Sequence, residues 1–344
     1  MKKLFWIVTP ILLFLFTGCS SFNELKEMEP IFIPEDEQMQ NYGWSQYDAQ
    51  KGEQYCFWKD QDGIYAENLE TGESIKVTGR RAMFSNRMHN MIVYGTSLYW
   101  TEKGFYETDC QGIYVKDLST GRNTHICKEY AVHNILIADD TLYFIESNGV
   151  DSTFYAYSLE EKVTRKICTV EYGASGFYGW SICNGEMYYA YMDEEDVFLD
   201  SFSTESGERL MHLSSQSILG DDGSLDRFKI TDRYLICGGF SPDGNKGIVY
   251  DLKEEKILVS VDGNMINDCF WIDGKAYFLI QEEDGSENVI RVEMDGSISK
   301  QAAVPNRLWI DRLYYIDGSL YVLPKDLDDA SKARFASYFL KIDI

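Results

Sequence analysis

The strongest constraint on this fold is a short apolar-aromatic segment that returns at nearly constant spacing along the chain. It appears as Tyr55-Cys56-Phe57, Leu98-Tyr99-Trp100, Leu142-Tyr143-Phe144, Met187-Tyr188-Tyr189, Tyr234-Leu235-Ile236, Ala276-Tyr277-Phe278 and Leu320-Tyr321-Val322. The middle residues are 43, 44, 45, 47, 42 and 44 positions apart. Such regularity identifies one structural unit built repeatedly, whose copies bury their faces against each other.

Turn residues precede the anchors, as in Lys51-Gly52-Glu53, Asn184-Gly185-Glu186, Asp273-Gly274-Lys275 and Asp317-Gly318-Ser319. These residues accept the positive φ of tight hairpins. A strand often carrying tryptophan (Trp44, Trp180, Trp271, Trp309) comes before the turn. Two further strands follow the anchor, as in Ile113 to Leu118 and then Thr124 to Cys127. Four antiparallel strands in about 44 residues is the size of a propeller blade. A β-helix would repeat about twice as often, and helical 3.6-residue periodicity is absent. The nearly continuous apolar second strand fits an element covered on both faces.

The expectation is therefore an all-β chain, a seven-bladed β-propeller of four-stranded antiparallel blades, with six or eight blades as the alternatives. The last unit lacks an outer strand. Pro30-Ile31-Phe32-Ile33-Pro34, isolated ahead of the first complete unit, is expected to supply it and close the ring. Connections between second and third strands, and from one unit to the next, are the longer ones. Alternation of strand direction puts both sets on one elaborated face, where functional residues concentrate.

The N-terminus carries an address. Lys2 and Lys3 precede an apolar run from Leu4 to Phe16, too short for a comfortable membrane span and built like a secretion signal. The run ends in Thr17-Gly18-Cys19, which resembles the lipobox of bacterial lipoproteins, with Phe16 in place of the usual leucine. The resemblance implies a signal peptide over 1–18, lipidation of Cys19, a linker over 19–29 and a propeller domain over 30–344. The chain would then be exported and held at the cell membrane by its lipid. From residue 40 onward the pattern resembles lipid-anchored bacterial propeller proteins and, more loosely, WD-repeat, TolB-like and quinoprotein-like propellers. It has no Trp-Asp strand ending, Asp-box or tryptophan docking motif, so no family's functional residues transfer to it.

Seven cysteines follow Cys19, with no C-x-x-C and most in apolar strands, so free buried thiols are expected. A formal charge of −24 argues against nucleic acid or an anionic membrane surface and favours cationic or neutral partners. Histidine numbers only four, His89, His125, His133 and His212, with no local metal-ligand spacing; no metal or cofactor is expected. Acidic turns such as Asp60-Gln61-Asp62-Gly63 lack a calcium loop's full ligand set. No nucleophile-elbow, P-loop or dinucleotide motif stands in usable context.

Two groups of residues on the elaborated face are candidate ligand contacts. One is a basic island with no Asp or Glu from Ser74 to Thr101, holding Arg80, Arg81, Arg87 and His89. Guanidinium forks there would pair with neighbouring carboxylates or grip an anionic group. The other is aromatic: Tyr106, Tyr172, Tyr178 and Trp180, suited to a protein or carbohydrate partner. The functional reading is a non-enzymatic binding or scaffolding module. The alternative is a polysaccharide hydrolase or lyase using funnel carboxylates.

Overall fold

The computed structural model describes residues 49–51, 54–59, 63–79, 87–103, 111–147, 151–170, 177–193, 196–220, 223–304, 310–316, 319–324 and 340–342. These residues form antiparallel sheets strung in chain order. The first unit is β1 (Ala49–Lys51), β2 (Tyr55–Lys59), β3 (Gly63–Asn68) and β4 (Ser74–Gly79). Next comes a seven-stranded sheet of β5 (Arg87–Tyr94), β6 (Ser97–Lys103), β7 (Gln111–Asp117), β8 (Asn123–Ala138), β9 (Thr141–Ser147), β10 (Ser152–Ser158) and β11 (Thr164–Val170). Two further units are β12 to β15 (Phe177–Cys183, Glu186–Asp193, Asp196–Ser203, Arg209–Ser214) and β16 to β19 (Ser224–Ile230, Tyr234–Ser241, Gly244–Asp251, Lys256–Gly263). The series ends with β20 to β23 (Met265–Ile272, Lys275–Gln281, Glu287–Val292, Ile298–Val304) and the three strands β24 to β26 (Ile310–Ile316, Ser319–Pro324, Leu340–Ile342).

Every repeated anchor is the second strand of its unit, and the strand order confirms the meander read from the turns. The seven-stranded sheet was not anticipated. The sequence places a short strand at Thr124 to Cys127 and a separate strand after it, whereas β8 runs through both as one 16-residue element. It pairs with β7 through Asn123 to Ile126 and again at Ala131, and with β9 through Val132 to Ala138, and so is the last strand of the second unit and the first of the third. No Gly or Pro interrupts Lys128 to Val132; the ladder with β7 shifts register between Ile126 and Ala131, where Cys127 has a φ of 48°. A second departure is the short helix α1 (Gln216–Leu219) in the connection after β15, which buries Ile218 and Leu219.

First strands converge. Cα atoms of β12 and β16, of β16 and β20, and of β20 and β24 approach within 8 Å, as do those of β5 and β8. Core layers alternate with the sheets. Phe57, Ile64 and Val77 of the first unit pack on Met91, Leu98 and Trp100 of the second. Phe154 and Ile145 pack on Trp180 and Tyr189, and Ile236 and Val249 on Ile266 and Phe278. Polar bridges also join neighbouring units: Lys116 Nζ donates to the Val77 carbonyl at 2.9 Å, and Leu313 N of the last unit donates to Asp268 Oδ2 at 2.9 Å. At the other end of the sheets, outermost pairs carry register shifts at Ile64/Tyr65, Phe154/Tyr155, Ser201/Phe202, Val249/Tyr250 and Val289/Ile290. Bulges of this kind discourage edge-to-edge pairing. The closing segment 30–34 lies outside the described residues.

Candidate functional site

The first strands carry the site. An inner strand packed on both sides ought to be apolar at every buried step, yet six of them break the pattern at the same place. There the ladder takes two residues against one: between Met88 and Met91, Val132 and Asn134, Phe177 and Gly179, Leu225 and Arg227, Ile266 and Asp268, and Ile310 and Arg312. The pairs so placed are His89-Asn90, His133-Asn134, Tyr178-Gly179, Asp226-Arg227, Asn267-Asp268 and Asp311-Arg312. Each lies toward the strand end entered from the preceding unit, which is the elaborated face. A bulge re-aims side chains and interrupts pairing, and bulges gather at functional rims.

At four of the six bulges, those of Asn90, Asn134, Gly179 and Asp268, the second member of the pair supports the scaffold. Asn90 and Asn134 are both buried; Asn90 Nδ2 donates to Thr101 Oγ1 at 3.4 Å, and Asn134 Oδ1 accepts from Ile135 N at 2.8 Å. Asp268 accepts from Cys269 N through Oδ1 and from Leu313 N through Oδ2. Gly179 has φ 142°, and a Cβ there would stand 3.3 Å from the Phe228 ring, so the glycine lets the next unit approach. Of the first members, Asn267 is half-buried, and its Nδ2 donates to Glu287 Oε1 at 2.9 Å.

Carboxylates stand beside these bulges. Glu102 pairs in register with Met88 and Glu146 with Val132, each next to a histidine-bearing bulge. Trp100 Nε1 donates to Glu102 Oε1 at 3.2 Å; the Tyr155 hydroxyl donates to Glu146 Oε2 at 3.0 Å, and Ala131 N to its Oε1 at 3.1 Å. Burial and the Glu146 contact push the Tyr155 hydroxyl up to about 12. Tyr130 completes the cluster, 4.6 Å from the Tyr155 ring and 5.2 Å from Phe144.

The candidates named from sequence are scattered differently. Cys19, Arg80, Arg81, Tyr106 and Tyr172 lie outside the described residues. Arg87 and His89 fall in β5, and His89 and Tyr178 occupy bulges. Trp180 is 8% exposed and packs against Phe154 at 6.0 Å, so it belongs to the core between units rather than to an open aromatic face. Lys76 of the basic island lies over the Tyr65 ring at 5.5 Å. His133, Asp226, Asn267, Asp311, Glu102 and Glu146 were not singled out as site residues. For the bulge residues the signal is present: polar pairs recur in five of the six inner strands where the repeat demands apolar residues, and the His-Asn dipeptide recurs 44 positions apart. Among the described residues no group of three His, Cys, Asp or Glu is gathered for a metal.

No protein family and no curated protein matches the chain in sequence. Solved structures do match in shape. A crystal structure of the mitotic checkpoint complex aligns with a TM-score of 0.57 at 11% identity, covering 84% of this chain and 85% of that one. The β-propeller domain of the Trilobed protease from Pyrococcus furiosus, described as having an open velcro topology, gives 0.54 at 16% identity, covering 86% and 91%. A prolyl endopeptidase gives 0.56 at 6% identity, covering 90% of this chain and 50% of that one. At such identities the likeness is one of architecture: the chain folds as an all-β propeller.

Proposed function

We propose that the chain is an exported, lipid-anchored binding module that takes a protein or glycan partner at the mouth of its central channel, on the elaborated face. The observation that carries this reading is the bulge repeated in six inner strands, five of them with a polar pair and one with Tyr178-Gly179. Scaffold needs account for the second residue at four of the bulges, Asn90, Asn134, Gly179 and Asp268; they do not account for the first residues being His, His, Tyr, Asp, Asn and Asp. Hydrogen-bonding groups of both kinds around one rim suit a polar partner, and the charge of −24 favours a neutral or cationic one.

Two experiments test it. Cys19→Ala should release the chain from membranes or block its processing; unchanged detergent partitioning would remove the anchor from the account. Full-length protein in detergent should bind a member of a panel of soluble peptidoglycan fragments, neutral glycans and basic peptides. Asn267→Ala and Asp226→Ala should weaken that binding, while Glu160→Ala, in a turn on the opposite face, should not. Equal binding by all three variants would move the site elsewhere.

A further inference from the structure

Two apolar side chains stand open to solvent on the elaborated face, where the unit of β16 to β19 meets that of β20 to β23. Phe240, near the end of β17, is 54% exposed, and Met265, at the start of β20, is 47% exposed. Phe240 is the most exposed aromatic side chain among the described residues. One residue past the pair that flanks the bulge, the other units place Lys103, Ser147, Met192 and Gln281 at its position. Ile236, Gly238 and Phe240 alternate onto one face of β17. A Cβ at Gly238 would stand 2.7 Å from Ile266 Cγ2, so that face meets β20, and Phe240 continues it past the packed layer. Asn245, the ladder partner of Phe240, also pairs with Gly263 and donates through Nδ2 to the Asn264 carbonyl, next to Met265.

Carboxylates surround the two. Asp243 lies in the loop just after Phe240, Asp262 just before Met265, and Glu282, Glu283 and Asp284 in the loop after Gln281, the ladder partner of Met265. Amide side chains hold two of the glutamates at this end: Asn288 Nδ2 donates to Glu282 Oε1 and Asn267 Nδ2 to Glu287 Oε1, both at 2.9 Å. Hydrogen bonds from Ser286 hold the Asp284 carboxyl below the ordinary aspartate range, so it stays charged. At the opposite face of the same two units the acids are paired, Arg233 with Asp251 and Glu254, Lys256 with Glu254, and Lys275 and Arg291 with Glu293. Among the described residues no ion pair reaches Asp243, Asp262, Glu282, Glu283 or Asp284. Arg227, Lys246 and Lys300 are the cations around them, fewer than the carboxylates.

We propose that this patch seats a basic segment of a partner protein, with an apolar side chain packed on Phe240 and Met265 and its lysines or arginines facing the surrounding carboxylates. The inference rests on the binding-module reading and narrows its partner from protein or glycan to a cationic protein. Exposed aromatic and methionine side chains within a polar rim are the anatomy of a protein interface. Carboxylates without cations of their own supply the complementary field that steers and selects such a partner. A second copy of this chain, at −24, brings the wrong charge. A neutral glycan could stack on Phe240 but would gain nothing from the unpaired carboxylates.

The test titrates the full chain in nonionic detergent into a labelled peptide of arginine, glycine and leucine and follows fluorescence anisotropy, with detergent alone as the blank. The wild type should bind, and more weakly as salt rises. Phe240→Ala combined with Met265→Ala should weaken binding by roughly tenfold or more at every salt concentration. Glu282→Gln, Glu283→Gln and Asp284→Asn together should weaken it at low salt and flatten its salt dependence. Glu160→Gln, Glu161→Gln and Glu205→Gln, the same change of charge on turns of the opposite face, should do neither. Serine in place of the peptide's leucines should cost as much as the loss of Phe240 and Met265, and it reads the same contact without altering the protein. No binding of the leucine peptide, or binding indifferent both to the Phe240 and Met265 variant and to the serine exchange, overturns the proposal. A neutral glycan whose binding is lost in Asn267→Ala but kept without Phe240 would refute this partner and leave the binding-module reading standing.

Discussion

Gln50 provides a measurable test of how the first unit is fixed to the second. Its side chain is fully buried in β1, where Nε2 donates to the Val93 carbonyl at 3.1 Å and Oε1 accepts from Val93 N. Val93 pairs with Leu98 within its own sheet, but β5 is a first strand with no ladder on its other side. Gln50 therefore satisfies both polar groups of a residue that is 1% exposed. Gln50→Ala leaves one buried N–H and one buried C=O without partners, at about 1–3 kcal/mol each. Water reaching the gap offsets part of this, so the expected loss is about 2–4 kcal/mol. That is a large share of the roughly 5–15 kcal/mol that stabilises a folded chain. Urea unfolding should show an earlier midpoint at unchanged slope. Gln50→Glu, which keeps the acceptor but loses the donor, should be no less destabilising, because a carboxylate would then face the carbonyl. A Gln50→Ala variant within about 0.5 kcal/mol of wild type would refute the bridge.

Three further outcomes follow from the same structure. Burial raises the thiols of Cys127 to about 11 and of Cys168 and Cys237 to about 12, and it raises Cys269 as well. Since the thiolate is the nucleophile, iodoacetamide at mildly alkaline pH should leave the buried Cys127, Cys237 and Cys269 unmodified in the native protein, and label the half-buried Cys168 only slowly; rapid native labelling of the buried three would contradict the structure. Hydrogen bonding from Arg233 holds the Asp251 carboxyl below the ordinary aspartate range. Its contribution is then complete above that range and lost as pH falls through the lowered folded-state value. Arg233→Met should shift acid unfolding to higher pH, and an unchanged acid midpoint would assign the pair no weight. Deleting residues 30–34 should lower the melting temperature by several degrees if that strand closes the ring, and leave it unaltered if the segment is only a tether.

The repeat was legible because each blade buries its second strand on both faces. Tyr99, Tyr143, Tyr188 and Tyr277 announce themselves as aromatic centres at a fixed interval, with turn residues marking the hairpins around them. The fused strand β8 was not legible, because its positive-φ residue, Cys127, and the irregular stretch after it carry no Gly or Pro turn signature. Trp180 was misplaced since aromatic composition alone does not separate a side chain in the layer between blades from one on the rim. His133, Asp226 and Asn267 were passed over for a different reason. A polar residue in a strand reads locally as solvent-facing alternation; register alone shows it to be the extra residue of a bulge.

The most direct test of the account is amide hydrogen exchange on the full chain, free and bound to whichever panel member it takes up. Protection is predicted at the bulge segments 87–91, 132–135, 177–180, 224–228, 265–269 and 310–313, with the turns at 159–163 and 252–255 unaffected. Protection confined to those turns, or to the outermost strands, would contradict a binding site at the channel mouth.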